Sequence, residues 1–332
     1  SHAIHSKLRV KFSFPNVRHH KVKIKQYVPL IIIGVAVSAG LGAFGDFKNV
    51  LHEVFSFPRN NLLQALGLAV INYLFRYLRW KYYLTLVQAS VHTKKEALVF
   101  TSGLAMALTP GKVGELSKAY LLRDLARIPV SVTTPVVIME RITDLLCVAF
   151  LSLGALMVVS HGAIIATAGT LVLTAAIFST TKITTLEYFL RLPLLRRWEP
   201  SLKNSLTVFH AISSPKPVIT ALFLGGVAWI SEGLALWVIL NGLDMNMSAL
   251  AAIGIYAVAT LVGAVTLLPG GMIGTEGAMV GLLTGMGITP SGASAATILV
   301  RLCTLWFAFL LGVMSLLLIQ RVQLQSTATK SK

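Results

Sequence analysis

Twice in this chain a hydrophobic run breaks at Pro-Gly and resumes with a glutamate, and each break is followed by an arginine inside another apolar stretch. Glu115 closes the stretch Leu108-Thr-Pro-Gly-Lys-Val-Gly and Arg141 follows 26 residues later; Glu276 closes Leu268-Pro-Gly-Gly-Met-Ile-Gly-Thr and Arg301 follows 25 residues later. A helix that starts inside an apolar layer presents unpaired N–H groups and a partial positive charge, which suits an anionic group. Arginine adds bidentate contact with phosphate oxygens and lysine a point charge. Lys112 and Lys118 flank the first break, while Glu140, Asp144 and Glu232 add carboxylates within apolar runs. Lys112, Glu115, Lys118, Glu140, Arg141, Asp144, Glu232, Glu276 and Arg301 therefore outline an anion site whose carboxylates could titrate or repel. A plainer arrangement stays open for the carboxylates: Arg141 and Asp144, three apart on a helix, neutralise each other, and Glu115 and Glu276 cap the half-helices. Arg301 has no acid within four residues, so it needs Glu276 or a phosphate. Ser117 and Thr143 have no histidine nearby and the eight histidines follow no metal-ligand spacing, so no catalytic residue, metal or cofactor is expected.

The elements that carry these residues belong to a membrane. Apolar residues make up 55% of the chain and charged residues 12%, and near-uncharged stretches of spanning length exclude an ordinary soluble domain. Full-length spans are predicted near 27–44, 62–80, 133–158, 162–179, 218–240 and 293–319. Two interrupted elements lie between them, one over 97–123 and one over 249–287, the latter either re-entrant or two crossings. Pro110, Gly111 and Gly114 form the first break, and Pro269, Gly270, Gly271 and Gly274 the second. Arg76 lies near the end of its span and reads as a side chain that snorkels to the surface, with Arg79 counted among the loop charges beyond it. Gly277, Gly281 and Gly285 recur every four residues, a stripe that lets a neighbouring helix approach closely. Cys147 and Cys303 sit in apolar spans and read as packing residues.

Charge asymmetry gives the orientation. The head (1–26) carries seven bases and no acid, the 79–96 segment four bases and one acid, and the 180–217 connection six bases and two acids, whereas 45–61, 159–161 and 241–248 are balanced or nearly uncharged. Both termini are expected in the cytoplasm, and the net charge of +17 is explained by topology and not by nucleic-acid binding. The layout is thus an all-α polytopic protein: a basic head (1–26), a first membrane half (27–179), a basic connection (180–217), a second half (218–319) and a short tail (320–332). Three crossings separate the two breaks. An odd number makes the halves run in opposite senses, as an inverted-topology repeat that suits alternating access.

The order of Pro110-Gly-Lys-Val-Gly-Glu-Leu-Ser-Lys118, Glu140-Arg-Ile-Thr-Asp144 and Leu268-Pro-Gly-Gly-Met-Ile-Gly-Thr-Glu276 resembles the flippase-like family named for the transmembrane region of lysylphosphatidylglycerol synthases, over about residues 27–319. The resemblance implies movement of modified or isoprenoid-linked anionic lipids across the bacterial cytoplasmic membrane, and carries over Pro110, Gly111, Gly114, Glu115, Glu140, Arg141, Asp144, Pro269, Gly270 and Glu276. The chain ends soon after its last span, so the soluble aminoacyl-transfer activity of two-domain synthases is not implied. The leading expectation is a flippase for an anionic phospholipid, aminoacylated lipid or polyprenyl phosphate, with protons as a candidate coupling ion and homo-oligomerisation open. Alternatives are a transporter of a small soluble anion or sugar phosphate, which needs a sealed aqueous cavity, and a scaffold in an envelope-synthesis complex. A membrane transferase or phosphatase ranks below these.

Overall fold

The computed structural model describes residues 28–89, 91–153 and 199–330, and every regular element among them is helical. The basic head, the span expected at 162–179 and the first part of the 180–217 connection lie outside the described residues. In chain order the helices are α1 (Val28–Phe44), α2 (Phe47–Phe55), α3 (Arg59–Leu86), α4 (Thr93–Ala105), α5 (Ser117–Ala126), α6 (Val130–Ser152), α7 (Glu199–Ile212), α8 (Pro215–Gly242), α9 (Ala249–Val265), α10 (Gly274–Gly285), α11 (Pro290–Arg301) and α12 (Phe307–Lys330). Side-chain caps set two of these boundaries. The Ser248 hydroxyl accepts from the Ala251 N–H at the start of α9, and Thr289 does the same for Gly292 at the start of α11, where Pro290 supplies the first helical residue. One π-helical turn, Leu302–Trp306, joins α11 to α12 into a nearly continuous helix.

Among the described residues, α8 and the run Pro290–Arg321 are both long and apolar enough to cross a membrane, and Gly34–Phe44 and α9 are shorter apolar helices. The expected spans at 62–80 and 133–158 differ from this picture. Helices α3 and α6 have the length, but each carries buried charge that lowers its hydropathy, and that charge is turned inward onto other charge. At 13 and 12 residues, α4 and α10 rise only about 20 Å at 1.5 Å per residue, short of the roughly 30 Å hydrocarbon core.

Helix α3 packs along α8, and the pair is antiparallel: Asn61 Nδ2 donates to the Val238 carbonyl (3.2 Å) and Asn72 Nδ2 to the Ala228 carbonyl (2.8 Å). Around this pair the packing is reciprocal. Helix α4 lies on α12, where Thr101 Oγ1 bonds Ser315 Oγ at 2.7 Å, and α9 lies on α6. Gly312 makes the first of these contacts possible, because a Cβ there would stand 2.3 Å from the Ala105 nitrogen. The two breaks meet in the middle, with Leu108 against Gly270. Leu108, Met106, Met272, Phe309 and Leu316 form an apolar cluster around that meeting point. In the connection, α7 docks on α6 by burying Val208 and Ile212, and Ser205 Oγ donates to the Ser131 carbonyl.

The glycine stripe on α10 does not serve as a packing face. A Cβ added at Gly277, Gly281 or Gly285 would meet nothing within 4 Å. Helix α10 instead turns Thr275, Glu276, Met279, Val280 and Leu283 inward, since the charge of Glu276 decides which side of the helix must be buried.

Candidate functional site

Each break is built by its own residues. At the first, α4 tightens into a 3₁₀ turn (Met106–Leu108), and Thr109 is extended because Pro110 follows it. The Thr109 hydroxyl donates to the Met106 carbonyl (2.7 Å) and accepts from the Gly114 N–H (2.8 Å), tying both sides of the break together. Gly114 leaves the room for this, because a Cβ would sit 2.6 Å from the threonine methyl. At the second break, Gly270 and Gly271 both take positive φ (62° and 67°), which glycine adopts freely. Ile273 is also at φ 71°, a costly conformation for a β-branched residue. Lys112 has its backbone in the 3₁₀ turn Pro110–Leu116, but its side chain lies outside the described residues.

The two breaks deliver Glu115 and Glu276 to matching partners. Arg141 Nη1 lies 3.0 Å from Glu115 Oε1, and Arg301 Nε lies 2.6 Å from Glu276 Oε1. Arg301 also donates from Nη2 to the carbonyl of Gly270 at 2.7 Å, so the arginine of the second half clamps its own break. Both carboxylates bind arginines, and Glu276 does so from the first turn of α10.

Beyond this shared pair the halves diverge. In the first half, Arg141 Nη2 reaches Asp144 Oδ2 (2.9 Å), and Asp144 Oδ1 also receives Arg79 Nη2 (2.6 Å) and Trp229 Nε1 (3.0 Å). Lys118 Nζ is 2.6 Å from Glu140 and 3.6 Å from Glu115, and sits 4.5 Å over the ring of Trp80. In the second half Glu232 accepts from the Tyr256 hydroxyl at 2.8 Å. Arg76 bridges the two halves, with Nη2 3.9 Å from both Glu115 and Asp144 and with Glu232 within electrostatic reach. Tyr73 lies alongside and donates to the Thr304 carbonyl in the π turn (2.6 Å).

The structure thus brings Glu115, Lys118, Glu140, Arg141, Asp144, Glu232, Glu276 and Arg301 into one buried polar core. It corrects two positions. Arg76 does not snorkel, and Arg79 is not a loop charge: both are buried on α3, and Arg79 is fully enclosed. Gly225 of α8 makes space for it, since a Cβ there would lie 2.7 Å from Arg79 Nη1. A signal for both was present, because Asn72, Arg76, Arg79 and Tyr83 recur at three- and four-residue spacing and so share one helical face. Trp229 and Tyr256 carried no such signal, being unremarkable aromatics in apolar runs.

The electrostatic sum also differs from a positively charged pocket. Among the described residues the core holds five cations (Arg76, Arg79, Lys118, Arg141, Arg301) against five carboxylates (Glu115, Glu140, Asp144, Glu232, Glu276). The first half has one cation in excess and the second one carboxylate in excess. An isolated charge at membrane depth costs at least about 2.5 kcal/mol on insertion scales, so mutual neutralisation is what makes this core tolerable.

A crevice opens beside the second pair. It is walled by Gly34, Val37, Ser38 and Leu41 of α1, by Met272, Ile298 and Trp306, and by Glu276 and Arg301, and it has about 10 Å³ of room for the centre of a water molecule. That is space for about one water. Glu276 Oε2 is buried there and has no hydrogen-bond partner among the described residues. No group of three or more potential metal ligands occurs among the described residues.

Comparison with known proteins places this architecture. The family described as Lysylphosphatidylglycerol synthase TM region matches residues 31–312, and the chain belongs to that family. A UPF0104 membrane protein of Methanocaldococcus jannaschii is 24% identical over 91% of this chain and 97% of its own length. A second UPF0104 membrane protein of that organism is 26% identical over 65% of this chain and 94% of its own length. One from Methanothermobacter thermautotrophicus is 33% identical over 26% of this chain and 25% of its own length. The chain is accordingly a helical membrane protein.

Proposed function

We propose that this chain is a transporter that moves a lipid with an anionic phosphate head group across the cytoplasmic membrane by alternating access. The observation that carries the reading is the duplicated Glu–Arg pair, Glu115–Arg141 and Glu276–Arg301, each set directly behind a broken helix, with the two breaks in contact. Antiparallel packing of α3 on α8 and the reciprocal contacts of α4 with α12 and α9 with α6 support an inverted repeat, in which α3 corresponds to α8 and the breaks to one another. The head group would engage the arginines, while acyl or prenyl chains stay in the bilayer.

A lipid is favoured over a small soluble anion by the place of the crevice. It lies against α1, a helix with Ile32, Val35 and Phe44 exposed, where acyl or prenyl chains could lie alongside. The charge distribution supports cytoplasmic termini, with the 180–217 connection on the cytoplasmic face. The role proposed is transport and not catalysis.

The test is reconstitution of the purified protein in vesicles of phosphatidylcholine with fluorescent phosphatidylglycerol, followed by chemical quenching of the outer leaflet. Protein-dependent loss of the protected half of the signal is expected, and Arg141→Ala combined with Arg301→Ala should abolish it. Full-rate scrambling by that folded double variant would overturn the proposal.

A further inference from the structure

The two Glu–Arg pairs share a geometry but not a setting, and the difference has a chemical consequence. Glu115 is surrounded: besides Arg141 it has Lys118 at 3.6 Å and Arg76 at 3.9 Å. If a phosphate takes Arg141, two cations still face that carboxylate. Among the described residues Glu276 has no such reserve. Helix α10 packs on α9 and α11, whose titratable side chains are Tyr256 and Arg301 alone, and α1 across the crevice contributes none. Tyr256 is engaged with Glu232. A phosphate that displaced Glu276 from Arg301 would strand a buried carboxylate with no counter-cation among the described residues and with Oε2 already short of a donor. A buried carboxylate in that state takes up a proton.

Resting on the transport reading above, we propose that the second pair is the exchange site of a proton-linked cycle: phosphate replaces Glu276 on Arg301, and Glu276 binds one proton for each phosphate admitted. The proton is drawn from bulk solvent through the crevice and forms an O–H bond on the glutamate, and the phosphodiester monoanion replaces the carboxylate as the counter-charge of Arg301. Total charge in the core is then unchanged on loading, which keeps the five-against-five balance of the described residues. The first pair, with Lys118 and Arg76 beside Glu115, acts as fixed counter-charge. Gly270 adds a structural output, because Arg301 also holds the carbonyl of that positive-φ glycine, so rearranging the arginine loosens the second break.

The sign follows from linkage. Proton uptake on binding makes binding tighten as pH falls, by up to about tenfold per pH unit for one proton. The probe is the same fluorescent phosphatidylglycerol, a phosphodiester that does not itself titrate between pH 5.5 and 8. Its binding to the detergent-solubilised protein and its transport in vesicles are measured across that range. Wild type should bind more tightly at low pH. Glu276→Gln, a neutral isostere, should bind with pH-independent affinity at or above the wild-type value at pH 5.5, whereas Glu115→Gln should keep the slope. Size-exclusion profiles and binding of the probe by Glu276→Gln at low pH establish that the variant is folded. A wild type that moves lipid without any pH slope, or a Glu276→Gln variant that keeps the slope, would overturn the exchange and leave the transport reading standing. A wild type that moves no lipid would instead remove the transport reading.

Discussion

Asp144→Asn removes one charge from the centre of the first-half cluster without changing the shape of the side chain. In the native core that carboxylate faces Arg79 at 2.6 Å, Arg141 at 2.9 Å and Arg76 at 3.9 Å, and it accepts from Trp229 at 3.0 Å. Arg141 would keep Glu115 and is about one-fifth exposed, so it loses little. Arg79 is the casualty. It is fully enclosed and would face a neutral amide oxygen in place of the carboxylate, with the Thr143 hydroxyl at 3.2 Å and, as counter-charge, only the more distant Glu140. Removing one partner of a buried pair costs about 3–5 kcal/mol, mostly the penalty of leaving the other charge stranded. The reverse substitution, Arg79→Met, is milder because Asp144 keeps Arg141 and Trp229, and a loss of about 1–2 kcal/mol is expected. The double variant should recover about 2 kcal/mol relative to the sum of the single ones, since no enclosed arginine is left unpaired. Unfolding of the purified variants in mild detergent, by heat and by SDS titration, reads these differences. An Asp144→Asn protein within about 1 kcal/mol of wild type, or a double variant no better than the sum, would refute the idea that mutual neutralisation holds this core in the membrane.

Two other substitutions address the positioning of the site. Thr109→Val deletes the acceptor of the Gly114 N–H and the donor to Met106, and should destabilise the first break by about 1–3 kcal/mol, visible as faster amide exchange over 106–116. Gly312→Leu forces a side chain against the Ala105 backbone, so α4 must move off α12, and a stability loss of roughly 2 kcal/mol or more is expected together with loss of the lipid movement proposed above.

Much of the site was legible because hydrophobic runs make exceptions conspicuous. Pro-Gly at 110–111 and Pro-Gly-Gly at 269–271 had to interrupt helices, and the glutamate and arginine that follow each break at matching distances stood out as charges in need of partners, although Arg141 was matched with Asp144 and its bond to Glu115 was not foreseen. The pairing of Arg301 with Glu276 was one of two solutions open to an arginine without a local acid, and the structure takes it. The role of α3 was harder to see. Arg76 and Arg79 stand toward the end of a run bordered by Lys81, where positive charge ordinarily marks the water side, and the face they share with Asn72 and Tyr83 was the one sign that they turn inward. The α10 glycines show the opposite failure, since small residues permit a close approach but do not supply the partner.

Composition and pattern by themselves determined that the chain is helical and belongs in a membrane, where its helices are interrupted, and which charged residues needed partners, because the cost of a charge or an unpaired peptide group in an apolar layer can be read one residue at a time. Only the tertiary structure decided who answers whom: that Asp144 gathers Arg79, Arg141 and Trp229, that Lys118 goes to Glu140, and that Glu115 is surrounded while Glu276 depends on Arg301. Those choices depend on distances between helices far apart in sequence, set by close approaches at Gly225 and Gly312 that no local propensity encodes.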